Sequence, residues 1–217
     1  MVPNTPDTFL GIDRLYGAGT YHTLARRSVY IIGIGGVGSW VVESLSRTGV
    51  GQLFLADGDD VCVTNTNRQI HALANTIGRP KIDIMADRCR LISESSDIKT
   101  NHTFITAKNV NEHINAGVDL VIDCGDSQMA KAAVIARARR LRIPVITVGA
   151  AGGRVDPSRV KIRDLAKTYG DPLLASVRQT LRNRYGFSRT EGKRFSVSAV
   201  FSDEQVRYFQ AVSYTHL

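Results

Sequence analysis

Apolar residues gather in four short, branched runs, each closed by a turn of small or polar residues. VYIIGI (29–34), LFLAD (53–57), VDLVID (118–123) and IPVITVG (143–149) read as strands buried on both faces. Between them, apolar positions recur at helical spacing over 37–48, 79–92 and 127–141. Gly49 and Gly51 break the first helix, Gly78 and Pro80 mark the start of the second, and Asp126 or Ser127 caps the third. A further strand is expected over 98–105 and a short helix over 109–115.

Strands alternating with helices through short connections predict an α/β protein. The expected architecture is a Rossmann-like, doubly wound, mainly parallel sheet with helices on both faces, plus a smaller C-terminal extension. Ligands of such sheets sit beyond the carboxyl ends of the strands, where Asp57 and Asp126 fall. The texture changes after Gly149, so the chain is divided into a nucleotide-binding domain over 1–154 and a basic extension over 155–217. Within the extension, 150–159 reads as a turn, 161–184 as polar and helical in part, 185–194 as a basic loop and 195–209 as one or two strands. The last residues, SYTHL, read as non-native, and the chain as a fragment that lacks its C-terminal portion.

The 217 residues carry a net charge of +8, which favours an anionic partner. Arg137, Arg139, Arg140 and Arg142 form one basic cluster, read as a solvated helix face. Arg178, Arg182, Arg184, Arg189, Lys193 and Arg194 form another, with Tyr185 and Phe187 among them. That mixture suits a phosphate backbone and an unstacked base, so Arg182, Arg184, Arg189, Lys193 and Arg194 are candidate RNA contacts. No run approaches a membrane-spanning length and no secretory signal opens the chain, so a cytoplasmic protein is expected. Cys62, Cys89 and Cys124 form no CxxC pair and are expected to be small core residues.

The candidate chemistry begins at GIGGVG, where Gly33, Gly35 and Gly38 give a GxGxxG turn between a strand and a helix. Such a turn brings backbone N–H groups and a helix N-terminus against phosphate. Asp57 follows about 20 residues on, where a ribose-binding carboxylate belongs. To this point a dinucleotide-dependent dehydrogenase fits equally. The next segment separates the readings: it brings Asp59, Asn65, Asn67, Arg68, Gln69 and Lys81. Splitting ATP between its α and β phosphates develops charge on departing pyrophosphate, which Arg68, Lys81 and a magnesium ion on Asp126 could meet. A P-loop pattern is absent.

These motifs, GxGGxG, then DxDxVxxxNxNRQ, then GxPK, resemble the ThiF-like, ubiquitin-activating-type adenylating superfamily. RLYG (14–17), DDVCVTNTNRQIHA (59–72), GAAGG (149–153), DPSRVKIRDLAKT (156–168) and DPL (171–173) resemble its tRNA-modifying branch. The resemblance implies ATP and Mg2+, with Gly35 and Gly36 against the phosphates and Asp57 on the ribose. Asp59, Asn65 and Arg68 would line the nucleotide site, Lys81 would touch phosphate, and Asp126 would bind magnesium. It also implies a homodimer in which Arg14 reaches the nucleotide of the other subunit. The implied substrate is tRNA bearing N6-threonylcarbamoyladenosine, cyclised through an acyl adenylate with release of AMP and pyrophosphate. The alternative is adenylation of the Gly-Gly tail of a small sulfur-carrier protein, and a sulfur-transfer protein partner stays open.

Overall fold

The computed structural model describes residues 5–207. Two short helices, α1 (Leu10–Tyr16) and α2 (Thr20–Leu24), lead into β1 (Ser28–Ile32). There follow α3 (Gly38–Arg47), β2 (Gln52–Asp57), α4 (Lys81–Ile92), β3 (Asp97–His102) and α5 (Val110–His113). Next come β4 (Leu120–Asp123), α6 (Gln128–Arg140), β5 (Val145–Val148), β6 (Val160–Asp164), α7 (Pro172–Arg184) and β7 (Ser198–Ser202).

The strands form one sheet in the order β3-β2-β1-β4-β5-β7-β6. All neighbours are parallel except β6, which runs antiparallel to β7. Alternation along β1 explains the layers. Val29 and Ile31 pack with Val42 of α3 and Ile82, Met85 and Cys89 of α4. Tyr30 and Ile32 face the other way, into a core shared with Ala132 to Ile135 of α6 and Leu174, Val177 and Leu181 of α7. With helices on both faces, β1 is buried along its whole length, which accounts for its unbroken apolar sequence.

The strand order reverses direction between β1 and β4, leaving a crevice beyond their carboxyl ends. The glycine turn after β1, the segment after β2 and the turn after β4 all open onto it. Ser127 caps α6 by accepting a hydrogen bond from Ala130 N at 3.4 Å, so Asp126 is left outside the cap.

The chain after residue 154 joins the same sheet, with β7 inserted between β5 and β6. Here the sequence expectation needs correction. VKIRD, placed in a polar and partly helical stretch, is the edge strand β6. Its polar residues are tolerated because one side of an edge strand faces solvent. Lys161 pairs with Asp203, and the Arg159 guanidinium reaches the same carboxylate at 2.8 Å. The strand expected over 98–105 stops at His102, and of 195–209 only β7 is a strand among the described residues. The SYTHL reading lies outside the described residues. Cys89 is buried, Cys124 half-buried and Cys62 exposed, so Cys62 is not the core residue expected.

Candidate nucleotide site

A cleft of about 940 Å3 lies over the carboxyl ends of β2, β1, β4 and β5. Ten of the residues anticipated from the sequence line it: Gly33, Gly35, Gly36, Asp57, Asp59, Asn65, Arg68, Gln69, Lys81 and Asp126. They come from three separate stretches of chain, brought together by the parallel order of β2, β1 and β4.

The glycine turn is shaped from within. Gly33 has φ +80° and lies against the Cys124–Gly125 backbone, where a Cβ would meet Gly125 N at 2.9 Å. Gly38 does not line the cleft; a Cβ there would fall 1.8 Å from Gly33 O, so its role is the close approach of helix to turn. Asp57 is buried, and its two oxygens accept from Ile34 N at 2.6 Å and Asp59 N at 2.8 Å. The carboxylate expected to face a ribose therefore also fixes the backbone of the turn.

Lys81 sits at the first position of α4 with its side chain buried. Its Nζ donates to the exposed Asp59 carboxylate at 2.8 Å, and its backbone N donates to Asp59 O at 3.1 Å. Asn65 is buried and accepts from Cys62 N at 3.0 Å, which shapes the start of the polar segment. Arg68 is exposed, with Nη1 donating to Thr64 O and to Asn67 Oδ1, both at 3.0 Å. Trp40 Nε1 donates to Arg68 O at 3.1 Å, tying that segment to α3. Asn67 is thus beside the cleft as a partner of Arg68 and not in its wall.

Asp126 is exposed and makes no hydrogen bond or ion pair among the described residues. Behind it lies a buried ion pair. Lys131 Nζ donates to Asp123 Oδ2 at 3.0 Å and to Thr147 Oγ1 at 3.3 Å, and Thr147 Oγ1 donates to Asp123 Oδ2 at 2.7 Å. Asp123 Oδ1 in turn accepts from Gly125 N at 3.3 Å, so this network supports the turn that carries Asp126. Burial pushes the Cys124 thiol up to about 12, so it is not a thiolate at neutral pH.

No group of three metal-ligating side chains occurs among the described residues. The donor set still fits magnesium, which is commonly held by one or two carboxylates together with substrate phosphates. Asp126 supplies such a carboxylate.

Two sets of anticipated residues lie elsewhere. Arg14 is exposed on α1 and does not line this chain's cleft. The basic residues of the extension lie in the last turn of α7 (Arg182, Arg184) or beyond it (Arg189, Lys193, Arg194), whereas Leu173 at the start of that helix is at the cleft. Thirteen residues of helix put its C-terminal end about 20 Å away. There Arg182 stacks over Phe195 at 5.5 Å, Arg189 donates to Asn183 at 2.7 Å and Arg194 lies 3.7 Å from Asp164. Arg184 and Lys193 make no such contact among the described residues.

Residues the sequence did not single out also form the site. Thr103 to Ala107 build one wall, with Phe104 exposed there and its ring packed over Gly58. His71 lies buried behind the glycine turn, its Nε2 donating to Ile34 O at 2.8 Å. Burial, reinforced by Lys81, holds the His71 pKa below the ordinary histidine value against the opposing pull of Ile34 O and Asp57. A base with a lowered folded-state pKa stabilises the fold fully above its unfolded pKa, about 6.5, and the benefit is lost as pH falls through the folded value. Replacing His71 with Gln is therefore expected to flatten the fall in urea midpoint between about pH 7 and pH 5. An unchanged slope would contradict a buried neutral ring.

Comparison with known proteins agrees with this geometry. The signature of the ThiF family matches residues 11–192. The tRNA threonylcarbamoyladenosine dehydratase of Haemophilus influenzae is 45% identical over 209 residues, spanning 96% of this chain and 80% of that protein. The crystal structure of the E. coli tRNA N6-threonylcarbamoyladenosine dehydratase in complex with ATP superposes with a TM-score of 0.90. It is 44% identical, and the match covers 93% of this chain and 83% of that one. The E. coli sulfur carrier protein ThiS adenylyltransferase is 33% identical over 129 residues, 59% of this chain and 51% of that protein. Fold, glycine turn and cation-bearing segment together place the chain in the ThiF family.

Proposed function

We propose that this protein dehydrates N6-threonylcarbamoyladenosine in tRNA, using ATP to activate the carboxylate of the modification. The single observation that carries the reading is the convergence of Arg68, Lys81 and Asp126 on one cleft beside the glycine turn. The likeness to dehydratases over nearly the whole chain favours it over the sulfur-carrier alternative, whose relative matches a shorter part.

In this reading ATP lies with its phosphates along Gly35 and Gly36 and its ribose at Asp57, and Phe104 offers an apolar surface to adenine. The substrate carboxylate attacks the α-phosphorus, the bond to the β-phosphate oxygen breaks, and pyrophosphate leaves. Arg68 and Lys81 meet the charge that develops on that leaving group. Asp126 would hold magnesium, which supplies further charge neutralisation at the phosphates when bound. A nitrogen or oxygen of the same modification then attacks the activated carbonyl, and AMP departs with the former carboxylate oxygen. Tethering makes the closure effectively intramolecular, so no enzyme nucleophile is required. The acceptor has a route from the β5 side, where an apolar cavity of about 510 Å3 shares Val37, Gly149, Ala150 and Ala151 with the cleft.

The net charge of +8 suits a tRNA partner, with Arg182, Arg184, Arg189, Lys193 and Arg194 as an outlying phosphate contact. The working form is a cytoplasmic homodimer in which Arg14 completes the partner's site. On α1, Leu15 and Tyr16 beside it are exposed apolar residues suited to cover by a second copy. Mixing Arg14→Ala and Asp126→Ala proteins is expected to restore part of the activity through hybrid dimers. No restoration, once subunit exchange is verified, would count against the shared site.

The assay is direct. Protein, magnesium and ATP are incubated with tRNA that carries or lacks the modification, and the nucleosides are analysed by mass. A modified nucleoside lighter by one water, with AMP formed only on modified tRNA, is expected. AMP formed only with a Gly-Gly carrier protein would overturn the reading.

A further inference from the structure

The His71 ring makes a contact that the proposed chemistry has not used. We infer that His71 is a positioning residue for nucleotide phosphate, acting through the peptide between Ile34 and Gly35. Its Nε2 donates to Ile34 O at 2.8 Å, and the ring is buried. Because the acceptor is a carbonyl, the ring proton sits on Nε2, and Nδ1 is a bare lone pair. That Nδ1 is buried without a partner. A buried unpaired nitrogen costs stability, so simple packing does not explain a histidine here.

The geometry of the peptide unit supplies the explanation. In a trans peptide the C=O and the following N–H point in opposite directions. Pinning Ile34 O toward His71, on the protein side, therefore aims the Gly35 N–H away from His71 and toward the cleft that Gly35 lines. That N–H has no acceptor among the described residues. On the other side of Ile34, Asp57 Oδ2 holds the backbone N–H at 2.6 Å. The residue is thus clamped at both backbone groups, and the peptide cannot rotate without breaking one of them. His71 is itself anchored: Thr76 Oγ1 donates to His71 O at 2.7 Å and accepts from Leu73 N at 2.9 Å. His71 also lies on the segment that carries Arg68 and Gln69, so the same bond sets the spacing between those side chains and the glycine turn.

The inference rests on the placement of phosphate at the glycine turn in the proposed function, but its test requires no tRNA and no turnover. Binding of ATP, AMP and adenosine to the intact protein is measured by calorimetry for wild type, His71→Leu, His71→Asn and His71→Gln, with thermal melting as a check on folding. Leu removes the donor, and the Asn amide is one carbon too short to take the place of Nε2. The Gln amide reaches it. Leu and Asn are expected to weaken ATP and AMP by about tenfold or more, the scale of one hydrogen bond to a charged group, and to leave adenosine within about threefold. Gln is expected to retain ATP within about threefold of wild type. Equal weakening of ATP and adenosine would reduce His71 to a general structural role and overturn the inference. So would undiminished ATP binding by the Leu and Asn proteins. If Leu fails to fold, Asn against Gln carries the same contrast. Should ATP bind normally to wild type and fail in the Asn protein while no tRNA product forms, the inference stands and the tRNA reading falls.

Discussion

Asp126→Ala is expected to lower ATP-dependent turnover by about a hundredfold or more while leaving the melting temperature within experimental scatter. The two halves of that expectation come from the same geometry. Asp126 lines the nucleotide cleft at the carboxyl end of β4, yet its carboxylate is exposed and makes no hydrogen bond or ion pair among the described residues. Removing it deletes no folded-state contact, so surface substitutions set the stability scale, within about 0.5 kcal/mol. In the proposed reaction, this unpaired carboxylate in the same cleft as Arg68 and Lys81 would hold magnesium at the phosphates. Arg68→Ala should behave similarly in rate, because the charge of departing pyrophosphate would lose a cation. Rates near wild type for both proteins would remove these residues from the chemistry. A large loss of melting temperature for Asp126→Ala would show that the carboxylate has a structural partner.

Lys131→Met is the opposite case, expected to destabilise strongly. Lys131 and Asp123 have side chains 0% and 2% exposed, and their ion pair at 3.0 Å includes Thr147. Breaking a buried pair by removing one partner leaves an uncompensated charge and costs about 3–5 kcal/mol. For a chain of this size that is a fall in melting temperature on the order of 10 °C. The double variant Lys131→Met with Asp123→Asn should recover part of the loss, because the stranded charge is removed. The exposed pair Arg27–Asp119, 54% and 37% exposed, sets the contrast; Arg27→Ala should cost less than about 1 kcal/mol. Equal effects at Lys131 and Arg27 would contradict the burial of the first pair. Urea denaturation of the variants measures all of these.

The parts of the fold and site legible in the sequence were those with a local signature. VYIIGI and VDLVID could be read as strands because burial on both faces demands unbroken apolar residues. Gly33, Asp57 and Lys81 could be placed because each stands at a strand end or helix start that local pattern defines. What escaped was set by distant pairing. The edge strand β6 carries Lys161 and Arg163, whose charges are compatible with solvent on one side, so its alternation is blurred. The insertion of β7 between β5 and β6 depends on cross-strand contacts such as Ile146 with Ser198, which no window of sequence contains. His71 meets Ile34 across 37 positions, and within its motif it looked like any polar residue of a turn. Phe104 stood out no more, since an exposed phenylalanine acquires meaning only when β3 delivers it beside Gly58. The fold of one chain places neither Arg14 nor the basic residues at and beyond the end of α7 in the cleft, so the roles proposed for them require partners.

The central claim is that a carboxylate oxygen of the substrate attacks the α-phosphorus of ATP. Label transfer tests it most directly. Modified tRNA carrying oxygen-18 in the threonylcarbamoyl carboxylate is turned over once with unlabelled ATP, and the nucleotide products are analysed by mass. The account predicts one heavy oxygen in AMP and none in pyrophosphate. ADP with the heavy oxygen in orthophosphate would place the attack at the γ-phosphorus and contradict it.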